Sequence, residues 1–214
     1  MERVICLVIG YLCGLFQTGY LYGKAHNIDI RNYGSGNSGT TNALRVLGWK
    51  AGVIVFLGDF LKTLLPCLAV KLIFAGRPDM QYLLMLYTGL GVVLGHNYPV
   101  YLKFRGGKGI AATAGLLTAM DIRMALICLL VFAILVGITR YVSLGSLVVV
   151  TIFFAWLVIF GAMGQYGVGR TYLPEFYIVA AVITFQAFWR HRANIVRLSQ
   201  GTENKIGSGK KKAR

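Results

Sequence analysis

A chain of 214 residues that is 57% hydrophobic and only 14% charged, with a mean hydropathy of +0.66, reads as an all-α integral membrane protein and excludes an ordinary soluble domain. The net charge of +15 would suit nucleic acid, but the cations sit in the connections between apolar runs, where membrane topology places them, so no nucleic-acid partner is expected. Cys6, Cys13, Cys67 and Cys128 all fall inside apolar runs and the three histidines are scattered, so neither a disulfide framework nor a metal site is expected, and no cofactor.

Residues 4–23 form the first apolar run. Its length, with no small-x-small pattern after it, predicts a membrane span rather than a cleaved leader. A polar block follows, with Gly34, Ser35, Gly36, Asn37, Gly39, Thr41 and Asn42, then Arg45 behind them. Glycines let backbone N–H groups approach an anion, and hydroxyl, amide and guanidinium groups add donors, so the block predicts phosphate binding rather than a mere turn. Ser35 has two readings, nucleophile or hydrogen-bond donor to phosphate; with no histidine near it in sequence, the second is preferred. Gly34, Gly36 and Gly39 also spell the dinucleotide-binding glycine pattern, with Asp59 where a ribose-binding acid would stand. That reading fails, because a membrane span precedes the glycines and Asp59 lies inside the next apolar run.

The second run, 52–75, carries Asp59 and Lys62 on one helical face, about 12 Å inside the span at the rise of an α-helix. Charges at that depth are costly unless paired or facing a cavity, which predicts an ion pair lining the site. The third run, 82–102, ends in a second polar block with His96, Pro99, Lys103, Arg105, Gly106, Gly107 and Lys108. His96 is either an interfacial hydrogen-bonder or a site residue, and the basic residues beside it favour the site; Gly106, Gly107 and Lys108 lack the rest of a Walker loop. Residues 110–120 are too short to span alone and predict a half-helix or one tucked inside the bundle. Runs at 123–139, 142–163 and 172–189 follow, with Arg140 to Ser143 at one junction and a third polar block, His191 to Glu203 with Asn194 in it, after the last.

If the N-terminus is outside and all seven runs cross, the three blocks and the Arg140 to Ser143 junction emerge on one face. That face carries sixteen Lys and Arg against four on the other, and is cytoplasmic by the positive-inside rule. The expected architecture is a seven-helix transmembrane bundle with one short helix and polar cytoplasmic-side loops. Residues 1–206 form a single membrane domain, and 207–214, with Lys210, Lys211 and Lys212, are a basic, lipid-attracted tail.

The ordered set of Gly34, Ser35, Gly36, Asn37, Thr41, Asn42 and Arg45, then Asp59 with Lys62, Gly95 with His96 and Pro99, Phe104 with Gly106 to Gly109, Arg140 to Ser143, and His191 with Asn194 and Gly201 resembles the bacterial acyl-phosphate:glycerol-3-phosphate acyltransferases. The resemblance runs from about Val4 to Ile206. It implies a multi-pass protein of the bacterial cytoplasmic membrane whose site faces the cytoplasm. There it would transfer a fatty acyl group from long-chain acyl phosphate to glycerol 3-phosphate in phospholipid synthesis. Membrane lipid and the soluble enzyme that makes acyl phosphate are further implied partners. On matching positions, Ser35, Arg45, Lys108, Ser143, His191 and Asn194 become substrate contacts, and His96 and the glycines shape the site, with Ser35, Arg45 and His96 as the candidate catalytic residues. Lys103, read from the residues alone beside Arg105 and Lys108, joins the phosphate-binding set or, as the alternative, anchors lipid headgroups. Ser38 and Thr40 depart from the family, which usually has Pro and Ala there.

The residues fit this chemistry on their own terms. Both substrates carry phosphate, and a mixed anhydride needs alignment and charge stabilisation more than a covalent acyl-enzyme. His96, His191 and the acceptor phosphate all remain open as the base. A small-anion transporter is the rival from another class, but the chain shows no repeat and its polar blocks gather at one face. A thioester-dependent acyltransferase would carry Asp five residues after a His; positions five after His26, His96 and His191 hold Arg31, Tyr101 and Val196.

Overall fold

The computed structural model describes residues 1–207, so the basic run at Lys210 to Lys212 lies outside the described residues. Those residues hold no strand and ten α-helices: α1 (Glu2–Gly14), α2 (Thr18–Ala25), α3 (Thr40–Leu47), α4 (Trp49–Ile73), α5 (Pro78–Asn97), α6 (Ile110–Met120), α7 (Ile122–Thr139), α8 (Val142–Ala162), α9 (Leu173–Arg190) and α10 (Arg192–Ser199). The expected seven counts the apolar runs. The number rises because the first run breaks in two and because α3 and α10 fold from polar blocks.

The break in the first run has a local cause. Gln17 is buried, and its amide Nε2 donates to the carbonyls of Gly14, Gly95 and His96, while its Oε1 accepts from the Ser38 hydroxyl. Carbonyls freed at the end of α1 and of α5 are thus satisfied inside the protein, as a low-dielectric interior requires. Gly48, at φ +88°, stops α3 and turns the chain into α4. Asp121 separates α6 from α7 and caps the latter by accepting from the Arg123 N–H at 2.9 Å.

Residues 2–25, α4, α7 and α8 are long and apolar enough to cross a membrane. The outer side of α7 presents Leu126, Leu129, Leu130 and Ile138 to the surroundings, as a lipid-facing surface would. Helix α5 is the inverse case. It is buried along nearly its whole length, packed against α1, α4, α6 and α9, so its more polar sequence faces protein. The short α6 is tucked between α4 and α5, with Leu116 and Ala112 fully buried.

The bundle has two polar ends. At one, Arg3 pairs with Glu175, Tyr87 donates to Glu175, the Gly169 N–H donates to the Asp79 carbonyl, and Gln165 donates to Asp121. All three polar blocks and the Arg140 to Ser143 junction gather at the other. The segment that follows the third block is bound to that junction by reciprocal bonds, the Ile206 N–H donating to the Arg140 carbonyl and the Arg140 guanidinium to the Ile206 carbonyl.

Candidate active site

At that second end lies a cavity of about 300 Å³. Its wall is built from the first turns of four helices: Thr40 and Thr41 of α3, Ile110 and Ala111 of α6, Val142 and Ser143 of α8, and Asn194 of α10 with its cap His191. The opening turn of a helix has N–H groups without intrahelical partners and carries the positive end of the helix dipole. Four such ends meet around this one cavity, the arrangement of backbone donors that an anion would need.

The first loop is organised by Asn42, whose polar atoms are spent on the loop itself. Its Oδ1 accepts from the Ser35 N–H at 2.8 Å and the Ser35 hydroxyl at 3.2 Å, and its Nδ2 donates to the carbonyls of Ile30, Tyr33 and Asn37. Gly34 and Gly36, at φ +62° and +70°, supply the left-handed turns that let the chain wrap this amide. Asn37 accepts from the Gly39 N–H at 2.7 Å, setting the entry to α3. Arg45 projects from the last turn of α3, lines the cavity, and has no ion-pair partner among the described residues.

Across the cavity, Lys108 donates to Asn194 Oδ1 at 2.5 Å, Asn194 donates to Glu203, and Arg197 holds the other oxygen of that carboxylate at 2.8 Å. Burial draws the Lys108 ammonium down to about 8, against the opposing pull of Glu203. His191 is 3% exposed, and its Nδ1 lies 2.8 Å from the Ala187 carbonyl. A carbonyl can only accept, so Nδ1 carries the proton and Nε2 is a free lone pair. Burial, with Lys108 nearby, lowers this imidazole to about 4, so it is neutral at physiological pH.

The Asp59 and Lys62 pair forms, at 2.8 Å. Asp59 also accepts from Thr18, and Lys62 donates to the Phe16 carbonyl at 2.6 Å and to His96 Nδ1 at 2.9 Å. An ammonium can only donate, so the His96 lone pair is occupied and its proton sits on Nε2. That edge of the ring faces Gly107, where a Cβ would run into it.

Thr40 Oγ1 and Ser143 Oγ are buried with no hydrogen-bond partner among the described residues, and both residues line the cavity. Buried hydroxyls left unpaired are costly, which marks them as groups awaiting a polar ligand.

Of the residues expected at the site, Ser35, Asn37, Gly39, Thr41, Asn42, Arg45, Asp59, His96, Lys108, Ser143, His191 and Asn194 line this one cavity. Gly34, Gly36, Lys62, Gly106 and Gly107 stand outside the lining set, and Lys103 is exposed on a left-handed turn at φ +55°. The sequence reading passed over Thr40, Arg197 and Glu203. Glu203 had a signal, as the one acid in the strongly basic block from His191 onward.

The chain matches the glycerol-3-phosphate acyltransferase family model over residues 4–201. It is 43% identical to a glycerol-3-phosphate acyltransferase of Clostridioides difficile (strain 630) over 210 residues, 97% of each chain. It is 40% identical to that of Thermoanaerobacter sp. (strain X514) over 208 residues, again 97% of each. Among solved structures it is similar to PlsY (YgiH), an integral membrane glycerol 3-phosphate acyltransferase, in its glycerol 3-phosphate form, with a TM-score of 0.82, 36% identity and 97% of each chain covered. The lysophosphatidic acid form of PlsY gives a TM-score of 0.80 at 35% identity, with 97% of each chain covered.

Proposed function

This chain belongs to the glycerol-3-phosphate acyltransferase family, and we propose that it moves a fatty acyl group from acyl phosphate to the 1-hydroxyl of glycerol 3-phosphate, giving lysophosphatidic acid and inorganic phosphate. The observation that carries the donor assignment is the meeting of four helix N-termini with Arg45 and Lys108 around one cavity. Both substrates present a phosphate, and such a wall offers donors to two anions at once. The apolar part of the lining, with Phe56, Ile110, Phe132, Val136 and Val142, suits the start of an acyl chain that continues into lipid.

Transfer is direct. The acceptor hydroxyl oxygen attacks the carbonyl carbon, the bond from that carbon to the phosphate oxygen breaks, and phosphate leaves with the electron pair. Lys108, Ser143 and the free N–H groups stabilise the charge that grows on the leaving group. His96 is a poor base, because its lone pair is taken by Lys62. His191 offers its Nε2 to orient the hydroxyl, but an imidazole at about 4 holds a proton weakly. The proton therefore passes to a phosphate oxygen. Ser35, whose hydroxyl donates to Asn42 and sits on no base, serves as a hydrogen-bond donor to phosphate once it turns from that amide oxygen towards the bound anion. Purified protein with glycerol 3-phosphate is expected to form lysophosphatidic acid from acyl phosphate and none from acyl-CoA or acyl carrier protein. Comparable turnover with acyl-CoA would sink the donor assignment.

We further infer seven crossings and a cytoplasmic site in the bacterial membrane, from the alternation of the apolar runs between two ends and from the charge on the cavity end. A soluble enzyme making acyl phosphate would then deliver its product to that face. Single cysteines at positions 35, 108, 143 and 194, in a background lacking the native four, are expected to resist an impermeant thiol reagent on intact cells. Labelling of any of them from outside would reverse the orientation.

A further inference from the structure

Arg190, the last residue of α9, is outside the cavity lining but directly behind it. Its Nε donates to the Gly107 carbonyl at 2.9 Å, and its Nη2 donates to the carbonyls of Gly106 at 3.0 Å and Gly107 at 2.7 Å. The Tyr98 ring backs the guanidinium at 5.2 Å and is itself fixed by a bond from its hydroxyl to Gln186. The other side of the same two residues is tied to the end of α5, where the Gly106 N–H donates to the Asn97 carbonyl and the Gly107 N–H to that of His96. Neither glycine tolerates a Cβ, since at Gly106 it would meet the His96 carbonyl and at Gly107 the His96 ring.

We propose that Arg190 is a positioning residue of the acyl-transfer site, holding the Gly106 and Gly107 carbonyls so that Lys108 and the N–H groups at the start of α6 point into the cavity. This rests on the reading of the cavity given above. In a trans peptide the C=O and the following N–H point opposite ways. With the Gly107 carbonyl fixed on Arg190, the Lys108 N–H points away from α9. Neither that N–H nor the Gly109 N–H has a partner among the described residues, and both residues line the cavity. The arrangement also explains why arginine stands here. Two adjacent carbonyls match the fork of a guanidinium, whereas an ammonium reaches them as a single point. No carboxylate pairs with Arg190 among the described residues, so its charge adds to the positive field under the loop.

The test uses purified full-length protein in detergent, with lysophosphatidic acid formation followed against both substrates and thermal unfolding measured alongside. Arg190→Lys keeps the charge but not the fork, and is expected to lose about 100-fold in kcat/KM, the scale of a small misplacement of reacting groups. Its melting temperature should stay within a few degrees of wild type. Arg190→Ala leaves a space that added methylguanidinium should partly refill, raising its rate several-fold while leaving wild type unchanged. Wild-type kinetics in Arg190→Lys would overturn the proposal. So would Arg190→Ala whose loss of rate follows only its loss of folded protein and does not respond to methylguanidinium. If the wild type itself forms no lysophosphatidic acid, the acyl-transfer reading fails instead.

Discussion

Lys108→Met is expected to lower kcat/KM by about 10²–10³-fold, the scale on which removing one charge-stabilising donor slows a reaction. The methionine keeps much of the side-chain length and removes the ammonium that Asn194 now holds at 2.5 Å. The pH dependence identifies the group. Burial takes the Lys108 value from the ordinary lysine range down to about 8, so the charge is complete below that pH and is lost as pH rises through it. The wild-type kcat/KM profile, which reports the free enzyme, should therefore fall on an alkaline limb near pH 8. Residual activity of Lys108→Met should lack that limb. A limb that survives in the variant would assign the titration to another group, and a loss under tenfold would remove Lys108 from the groups that stabilise the leaving phosphate.

Gly91→Val is expected to destabilise the bundle by about 3 kcal/mol or more, the upper range for forcing side-chain volume into a packed interior. Helices α1 and α5 cross with their backbones in contact at four glycines. A Cβ at Gly10 would meet the Thr88 carbonyl, at Gly14 the Val92 carbonyl, at Gly91 the Leu7 carbonyl and at Gly95 the Tyr11 carbonyl. Small residues at such spacing let membrane helices approach closely. Here the crossing also positions His96, which follows Gly95 directly. Gly137 in α7 is the control. Nothing lies within 4 Å of a Cβ placed there, so Gly137→Ala should raise stability slightly, by about 0.5–1 kcal/mol, through helix propensity alone. Thermal unfolding of the two variants in the same detergent checks the opposite signs, and an unchanged midpoint for Gly91→Val would refute the close crossing.

Much of this was legible in the sequence, because membrane length and charge asymmetry are local signals. The apolar runs become helices or pairs of helices, the short run becomes α6, and the spacing of Asp59 and Lys62 puts them in contact. What stayed hidden depends on partners far along the chain. Gln17 looks like a lone polar residue in an apolar run, yet two of its three acceptors, the Gly95 and His96 carbonyls, come from the end of α5. Lys103 and Lys108 read alike as cations beside glycines, and only the left-handed turn at Lys103 and Phe104 separates the exposed one from the one in the cavity. Asn42 reads as a phosphate contact, whereas its amide is occupied in holding the loop. Ser38 is buried and its hydroxyl donates to Gln17, so this loop is anchored to the break between α1 and α2 by a bond the sequence does not announce.

If one cavity binds both phosphates, the acyl group passes directly between the two substrates and no acyl-enzyme forms. Intact-mass analysis of purified enzyme exposed to long-chain acyl phosphate without glycerol 3-phosphate, quenched at times from one turnover to many, reads this out. Direct attack predicts unmodified protein at every time, with lysophosphatidic acid appearing only once the acceptor is added. A mass increase of one acyl group, mapped to Ser35 and discharged by glycerol 3-phosphate, would contradict it.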